Sequence, residues 1–208
     1  MGILKEQYHI DSAFLKEPWK KLTYSEIQKI TKKRSKGYIY DALKRLEEEK
    51  IIVTEKVGKS VLYVLNLSSI SAQSYAGFLH EYISWNQRHI PLQVIENIRN
   101  KIPTKFFILL LTGSYAKKTQ TKKSDLDLVI ICDDKVDPKS IHAQISHESE
   151  TSIPVVHPYV FTNKQFLDML LDEGENYGKE TVRHNFIFYG GSQYYATINE
   201  AIKHGFRG

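Results

Sequence analysis

Six consecutive apolar residues, 106–111, set the first limit on how this chain folds. An uninterrupted apolar run of this length, followed after Thr112 by Gly113 and Ser114, is typical of a β-strand covered on both faces. Residues 125–131 read Asp-Leu-Asp-Leu-Val-Ile-Ile and predict a second strand that begins with acidic side chains. We therefore expect an α/β (α+β) fold, in which a mixed sheet packs against helices.

Two aspartates occupy alternate positions at the start of the second predicted strand. Because alternate side chains of a strand share a face, Asp125 and Asp127 are expected to point the same way, about 6.5–7 Å apart at Cα. Two carboxylates this close repel each other unless a cation screens them. The pair therefore predicts a site for Mg²⁺ (or Mn²⁺).

The segment before these aspartates favours phosphate binding. Gly113 has no side chain, so backbone amides can approach a phosphate closely, and Ser114 adds a hydroxyl donor. The P-loop pattern GxxxxGK[ST] is absent, so this is a different kind of phosphate loop. Positive charge in this segment comes from Lys117, Lys118, Lys122 and Lys123.

The order strand, Gly113-Ser114, ten residues, Asp125-Leu126-Asp127, strand resembles the polymerase-β-like nucleotidyltransferase superfamily, and within it the minimal nucleotidyltransferase domains. The resemblance implies that Gly113 and Ser114 bind a nucleoside triphosphate, and that Asp125 and Asp127 are catalytic residues that bind the metal. The alternative is an α/β domain in which Asp-Leu-Asp has no catalytic or binding role and merely begins an edge strand.

The superfamily pattern also implies a third carboxylate on a later strand, and this chain departs from it. The strand predicted at residues 153–161 contains no acidic residue. His157 stands in that strand, either as a metal ligand or proton acceptor, or as a residue of the pocket wall. Binding of metal and nucleotide is therefore better supported than turnover.

The net charge of +5 is concentrated in the first third of the chain. Residues 1–67 hold 14 Lys and Arg against 9 Asp and Glu, whereas residues 68–208 hold 15 of each. The excess is densest at residues 16–36. This asymmetry indicates either a module that binds a polyanion or a solvated lysine-rich surface.

Residues 8–67 show the pattern helix, turn, helix, β-hairpin, which resembles the winged helix-turn-helix family of DNA-binding domains. Thr23 and Glu26 form a capping-box pattern, and Gly58-Lys59 separates two strand-like segments. The resemblance implies binding of double-stranded DNA, although such a domain can also serve only protein contacts or dimerisation. The predicted DNA-contacting residues are Lys36, Tyr38, Lys44, Arg45 and Lys59, with Lys56 also near the wing tip.

The sequence predicts three regions: a winged helix at 1–67, a helical connector at 68–100 and a nucleotidyltransferase-like domain at 101–208. The aromatic face of the connector favours packing between the modules or in a homodimer. Residues 186–189 predict a last strand, followed by a turn at Gly190-Gly191.

Three functions are compatible with this organisation. The first is a metal-dependent nucleotidyltransferase acting on a hydroxyl acceptor. The second is a DNA-binding regulator whose degenerate second domain senses a nucleotide or mediates dimerisation, and the third is an antitoxin-type nucleotidyltransferase. The single cysteine, Cys132, and the absence of a signal-peptide pattern fit a cytoplasmic protein, and no apolar run is long enough to cross a membrane.

Overall fold

The computed structural model describes residues 8–208, which contain two separate β-sheets. The first sheet is antiparallel, with its three strands in the order β1-β3-β2. Its elements and those around it are α1 (Tyr8–Asp11), a 3₁₀ helix (Ser12–Phe14), β1 (Leu22–Thr23), α2 (Tyr24–Thr31), α3 (Lys36–Glu48), β2 (Ile52–Val57) and β3 (Ser60–Leu65).

Side-chain caps explain where α2 and α3 begin. The Thr23 hydroxyl accepts a hydrogen bond from the Glu26 N–H, and the Glu26 carboxylate accepts one from the Thr23 N–H, which is the predicted capping box. The Ser35 side chain accepts from the Tyr38 N–H at the start of α3. The predicted helices and hairpin are thus present in the predicted order, while their assignment as a winged-helix domain stays a prediction.

Two helices link the sheets. They are α4 (Ile70–Trp85) and α5 (Leu92–Lys101), which are separated near Pro91. Ser69 caps α4 by accepting a hydrogen bond from the Ala72 N–H.

The second sheet is mixed, as the sequence predicts, with its strands in the order β6-β5-β4-β7. Strands β5 and β6 run parallel, and the other two pairs are antiparallel. The elements are β4 (Phe107–Thr112), α6 (Gly113–Lys117), β5 (Leu126–Cys132), α7 (Pro138–Thr151), β6 (Val156–Thr162), α8 (Asn163–Leu171), α9 (Tyr177–Arg183), β7 (Phe186–Tyr189) and α10 (Gly191–Lys203).

Helices cover both faces of this sheet, which explains why β4 is apolar at every position. Leu109 and Leu128 pack in a core with α5 and α7, and Leu110 and Val129 pack in a second core with α4, α8, α9 and α10. All six residues of β4 are buried. The predicted mixed α/β fold is therefore confirmed.

The sequence predicts a turn at Gly190-Gly191, and the structure adds the long helix α10 directly after it. Gly190 adopts a positive φ of 76° and caps α10 without a side-chain hydrogen bond, so the usual Ser, Thr or Asp signal is missing.

A Cβ atom on Gly77 of α4 would lie 2.4 Å from the Ser192 nitrogen. Glycine at position 77 is therefore what allows α4 and α10 to pack this closely.

The second core also receives side chains from the first sheet and its helices. Leu46 and Leu65 belong to the same buried cluster as Leu110 and Tyr195.

Within residues 8–208, no helix is both long enough and apolar enough to span a membrane.

Candidate functional site

The site lies where β4 ends, α6 begins and β5 starts. Thr112, the last residue of β4, is paired across the sheet with Asp127 of β5. Gly113 follows with a positive φ of 67°, and a Cβ atom there would lie 1.9 Å from Asp127 Oδ2. The Gly-Ser turn therefore directly contacts the Asp127 carboxylate, and it requires glycine for both conformation and space.

Asp125 lies just before β5, because the strand begins at Leu126, one residue later than predicted. The Leu126 N–H donates a hydrogen bond to the Val155 carbonyl, which fixes this end of β5 against the approach to β6. Asp125 Oδ2 lies 3.6 Å from Nε2 of His157, and both side chains are about half exposed. Asp125 is thus held at the same end of the sheet as Asp127.

His157 is the residue paired with Asp127 across the parallel strands β5 and β6. Paired residues of neighbouring strands lie on the same face, so the imidazole stands beside both aspartates. This is the strand on which the superfamily resemblance implies a third carboxylate. A histidine at this position can act as a proton acceptor or a nitrogen ligand.

Burial raises the pKa of Asp127 above its ordinary value. The charges of Asp125 and Glu180 raise it further, whereas His157 and Lys117 lower it. A carboxylate that is partly desolvated and faces other anions is stabilised by a nearby cation.

One wall of the site consists of side chains that the sequence gives no reason to bring together. Lys117 of α6 donates to Oε1 of Glu180 in α9, with Nζ and Oε1 2.5 Å apart. The rings of Tyr159 and Tyr177 pack with their centroids 4.6 Å apart. Tyr159 lies two residues beyond His157 on β6, so its ring lies on the face that carries Asp127.

The side chains fit a metal ion whose coordination is completed by the phosphates of the substrate. Within the described part of the chain, no group of three or more His, Cys, Asp or Glu residues is placed to hold a metal ion by itself. Mg²⁺ is commonly bound by only one or two carboxylates together with substrate phosphates. Asp125 and Asp127 provide these oxygen ligands next to the Gly-Ser turn.

The predicted DNA-contacting side chains do not all lie on the outer face of α3. Lys36 and Lys44 are exposed, and Lys59 is exposed at the hairpin tip. Tyr38 and Arg45 are half-buried, and Tyr38 packs against the hydrophobic core. Contact of any of these five side chains with DNA stays a prediction.

The outer face of α3 contains an aromatic residue that the sequence analysis missed. Tyr40 is 60% exposed and stands four residues from both Lys36 and Lys44. Helical spacing of four places all three side chains in one row. The sequence contained this signal, because Tyr40 lies outside the apolar stripe of Ile39, Ala42, Leu43 and Leu46.

Comparison with known proteins supports the nucleotidyltransferase part of the interpretation. The family model described as "Nucleotidyltransferase domain" matches residues 81–180. This segment contains Gly113, Ser114, Asp125, Asp127 and His157. No curated protein matches the chain.

A chain in a crystal structure of a toxin–antitoxin with AMP-PNP is similar to part of this chain. It shares 14% sequence identity over 55% of this chain and 89% of its own length, with a TM-score of 0.37. A likeness this distant says nothing about what the present chain binds.

Proposed function

We propose that this chain is a metal-dependent nucleotidyltransferase that moves a nucleoside monophosphate from a nucleoside triphosphate to a hydroxyl acceptor. The observation that supports this most strongly is the contact between Gly113 and the Asp127 carboxylate. This contact places a turn that is open to phosphate directly beside an acidic side chain that can bind a divalent cation.

Each of the four predicted site residues has a role in this reaction. Gly113 and Ser114 would hold the triphosphate, and Asp125 and Asp127 would hold Mg²⁺ (or Mn²⁺). The metal supplies positive charge that neutralises the phosphates. The acceptor oxygen forms a bond to the α-phosphorus while the bond to the β-phosphate oxygen breaks, and pyrophosphate leaves.

The acceptor hydroxyl must also lose a proton. His157 is the candidate acceptor, because it is paired with Asp127 and its Nε2 lies 3.6 Å from Asp125 Oδ2. The neighbouring carboxylate would stabilise the imidazolium that forms. In this role His157 replaces the third carboxylate of the superfamily pattern.

The test is incubation with ATP, GTP, CTP or UTP and Mg²⁺, measuring pyrophosphate release and the fate of a label on the α-phosphate. We expect release in the parent protein and a loss of about 100-fold or more in Asp127→Asn, the scale of one lost transition-state interaction. Asp168→Asn is the matched control, because it removes the same charge from an exposed position on α8. Equal rates in parent and Asp127→Asn would reject the proposal.

A second candidate function, a DNA-binding regulator, is supported by the surface around the α2–α3 turn. Lys29, Lys32, Arg34 and Lys36 are all exposed there. The row Lys36, Tyr40, Lys44 continues this surface along α3. A basic surface on a helix-turn-helix favours contact with the phosphates of a duplex.

This candidate is tested by replacing Lys29, Lys32 and Lys36 with Glu. We expect duplex affinity at low salt to fall by about tenfold or more, with a shallower salt dependence. Reversal of Lys101, Lys135 and Lys139, also exposed, is the control. Unchanged DNA affinity in the first variant would remove DNA binding and leave the nucleotidyltransferase proposal intact.

A further inference from the structure

A basic cavity lies beside the site. It includes Lys118 of the lysine-rich segment before the aspartates, but none of the residues predicted to bind nucleotide or metal. Its volume is about 210 Å³, and its lining contains neither Gly113, Ser114, Asp125 nor Asp127. The walls come from residues 12–16, from α4, from the end of α6 and from residues 182–186. Segments far apart in the sequence therefore build it together.

The lining is positively charged and contains no carboxylate. Lys16, Lys118 and Arg183 line the cavity, together with His80 and His184. Among residues 8–208 neither Lys16 nor Lys118 forms an ion pair, whereas Arg183 binds Glu175 through two hydrogen bonds of 2.7 and 3.0 Å. Lysines that line a concave surface without an ion-pair partner, as Lys16 and Lys118 do within the described part of the chain, attract anions.

Buried polar contacts connect two residues of the cavity lining, His80 and Leu15, through Tyr195. Nδ1 of His80 lies 3.1 Å from the Tyr195 hydroxyl, which donates to the Leu15 carbonyl at 3.3 Å. Burial is the main cause that lowers the pKa of His80 to about 4; a backbone hydrogen bond with Asn185 opposes it and the charge of Lys16 adds to it. His80 is thus neutral at pH 7, and the lysines supply the attraction.

The cavity is also connected to the site through the backbone. The Thr112 hydroxyl donates to the carbonyl of His184, a residue of the cavity wall, at 2.9 Å. Thr112 immediately precedes Gly113 and is paired with Asp127. An occupied cavity would therefore lie against the residue that anchors the Gly-Ser turn.

We infer that this cavity binds the phosphoryl group of a small anion. Its volume is below the range of about 300–1,000 Å³ that is typical of pockets for whole drug-sized ligands. A phosphate or diphosphate fits both the size and the charge of the lining. The source can be a free inorganic anion or the distal phosphates of a bound nucleotide.

The test is calorimetric titration of the full chain with phosphate and with pyrophosphate, at low ionic strength with EDTA present. We expect one pyrophosphate per chain. The variant Lys16→Ala/Lys118→Ala should lose about tenfold or more in affinity, because it removes two charge-assisted contacts. Lys101→Ala/Lys139→Ala, which removes two exposed lysines elsewhere, should change the affinity less than about threefold.

Several results would overturn the inference. These are an absence of binding, equal losses in the two lysine pairs, or loss of binding only in Asp125→Asn/Asp127→Asn. The last result would place the anion at the Gly-Ser turn instead.

A second titration separates the two sources. Pyrophosphate is added to protein saturated with a non-hydrolysable nucleoside triphosphate and Mg²⁺. Unchanged affinity identifies a free anion as the occupant, and competition identifies the phosphates of the nucleotide. Because the first titration needs no turnover, the cavity and the proposed activity can fail independently.

Discussion

Gly113 is the residue on which the geometry of the site depends most directly. Its φ of 67° lies in the left-handed region, and a Cβ atom would lie 1.9 Å from Asp127 Oδ2. We predict that Gly113→Ala lowers the free energy of unfolding by more than about 1 kcal/mol, because the alanine strains the backbone and displaces the carboxylate. Urea unfolding measures the change.

Gly37 is the matched control for this substitution. It lies in α3, its φ is not positive, and no heavy atom would lie within 4 Å of an added Cβ. Gly37→Ala should therefore raise the free energy of unfolding by about 0.5–1 kcal/mol, through helix propensity. Changes of the same sign in the two variants would contradict the contact between Gly113 and Asp127.

His80 makes stability depend on pH. Its pKa is about 4 in the folded protein, chiefly because of burial, and about 6.5 in an unfolded chain. Between these values the unfolded state binds the proton and the native state does not. The free energy of unfolding should therefore fall by about 3 kcal/mol as the pH is lowered from 6.5 to 4.

Urea unfolding across this pH range, in the parent and in His80→Asn, isolates the contribution of this one histidine. The free energy of unfolding of the variant should depend less on pH, because the variant lacks this histidine. The other titrating groups are common to both proteins, so the difference between the two isolates His80. His142→Asn, which removes a histidine from an exposed position, is the control substitution. A slope equally steep in His80→Asn would show that His80 does not titrate as described.

At the scale of single residues, the sequence predicts the parts of the site that are local in the chain. Gly113, Ser114, Asp125 and Asp127 stand within fifteen positions of one another, so strand alternation is enough to bring them together. The contact between Lys117 and Glu180 cannot be predicted in this way. It depends on how α9 packs against the sheet.

At the scale of elements, prediction succeeds where a local signal exists. The capping box at Thr23 and the hairpin at Gly58 are such signals, and the structure contains both. Strand β1 is only two residues long and exists because it pairs with β3. Helix α10 has no side-chain cap, and its two glycines read as a turn.

The register of β5 against β6 explains why His157 could not be assigned from sequence. Parallel strands are joined through a helix, here α7, so chain distance does not fix which residues pair. The observed pairing of Asp127 with His157 is set by burial of Leu126 and Val156 in the core shared with α7. A shift of one residue in either strand would move its apolar side chain from this core to the face that carries Asp127 and His157.

At the scale of the whole molecule, the predicted modules share a hydrophobic core. Leu46 and Leu65 pack in one cluster with Leu110 and Tyr195. Polar contacts reinforce the junction: the Tyr75 hydroxyl donates to the buried Asp11 carboxylate, and the Tyr195 hydroxyl donates to the Leu15 carbonyl. Separating the modules would expose apolar surface from both, which is unfavourable in water.

We therefore predict that the two parts of the chain unfold together, and the two tryptophans allow a direct test. Trp19 lies before the first sheet with its ring centroid 5.2 Å from that of Phe206, and Trp85 donates to the Phe188 carbonyl in the second part. In each of the variants Trp19→Phe and Trp85→Phe, fluorescence follows the one remaining tryptophan while circular dichroism follows the whole chain. Coincident urea transitions within each variant are expected of one cooperative unit. A fluorescence transition displaced from the circular dichroism transition in either variant would show that the shared core does not couple the modules, and the boundary near residue 67 would then mark an independent folding unit.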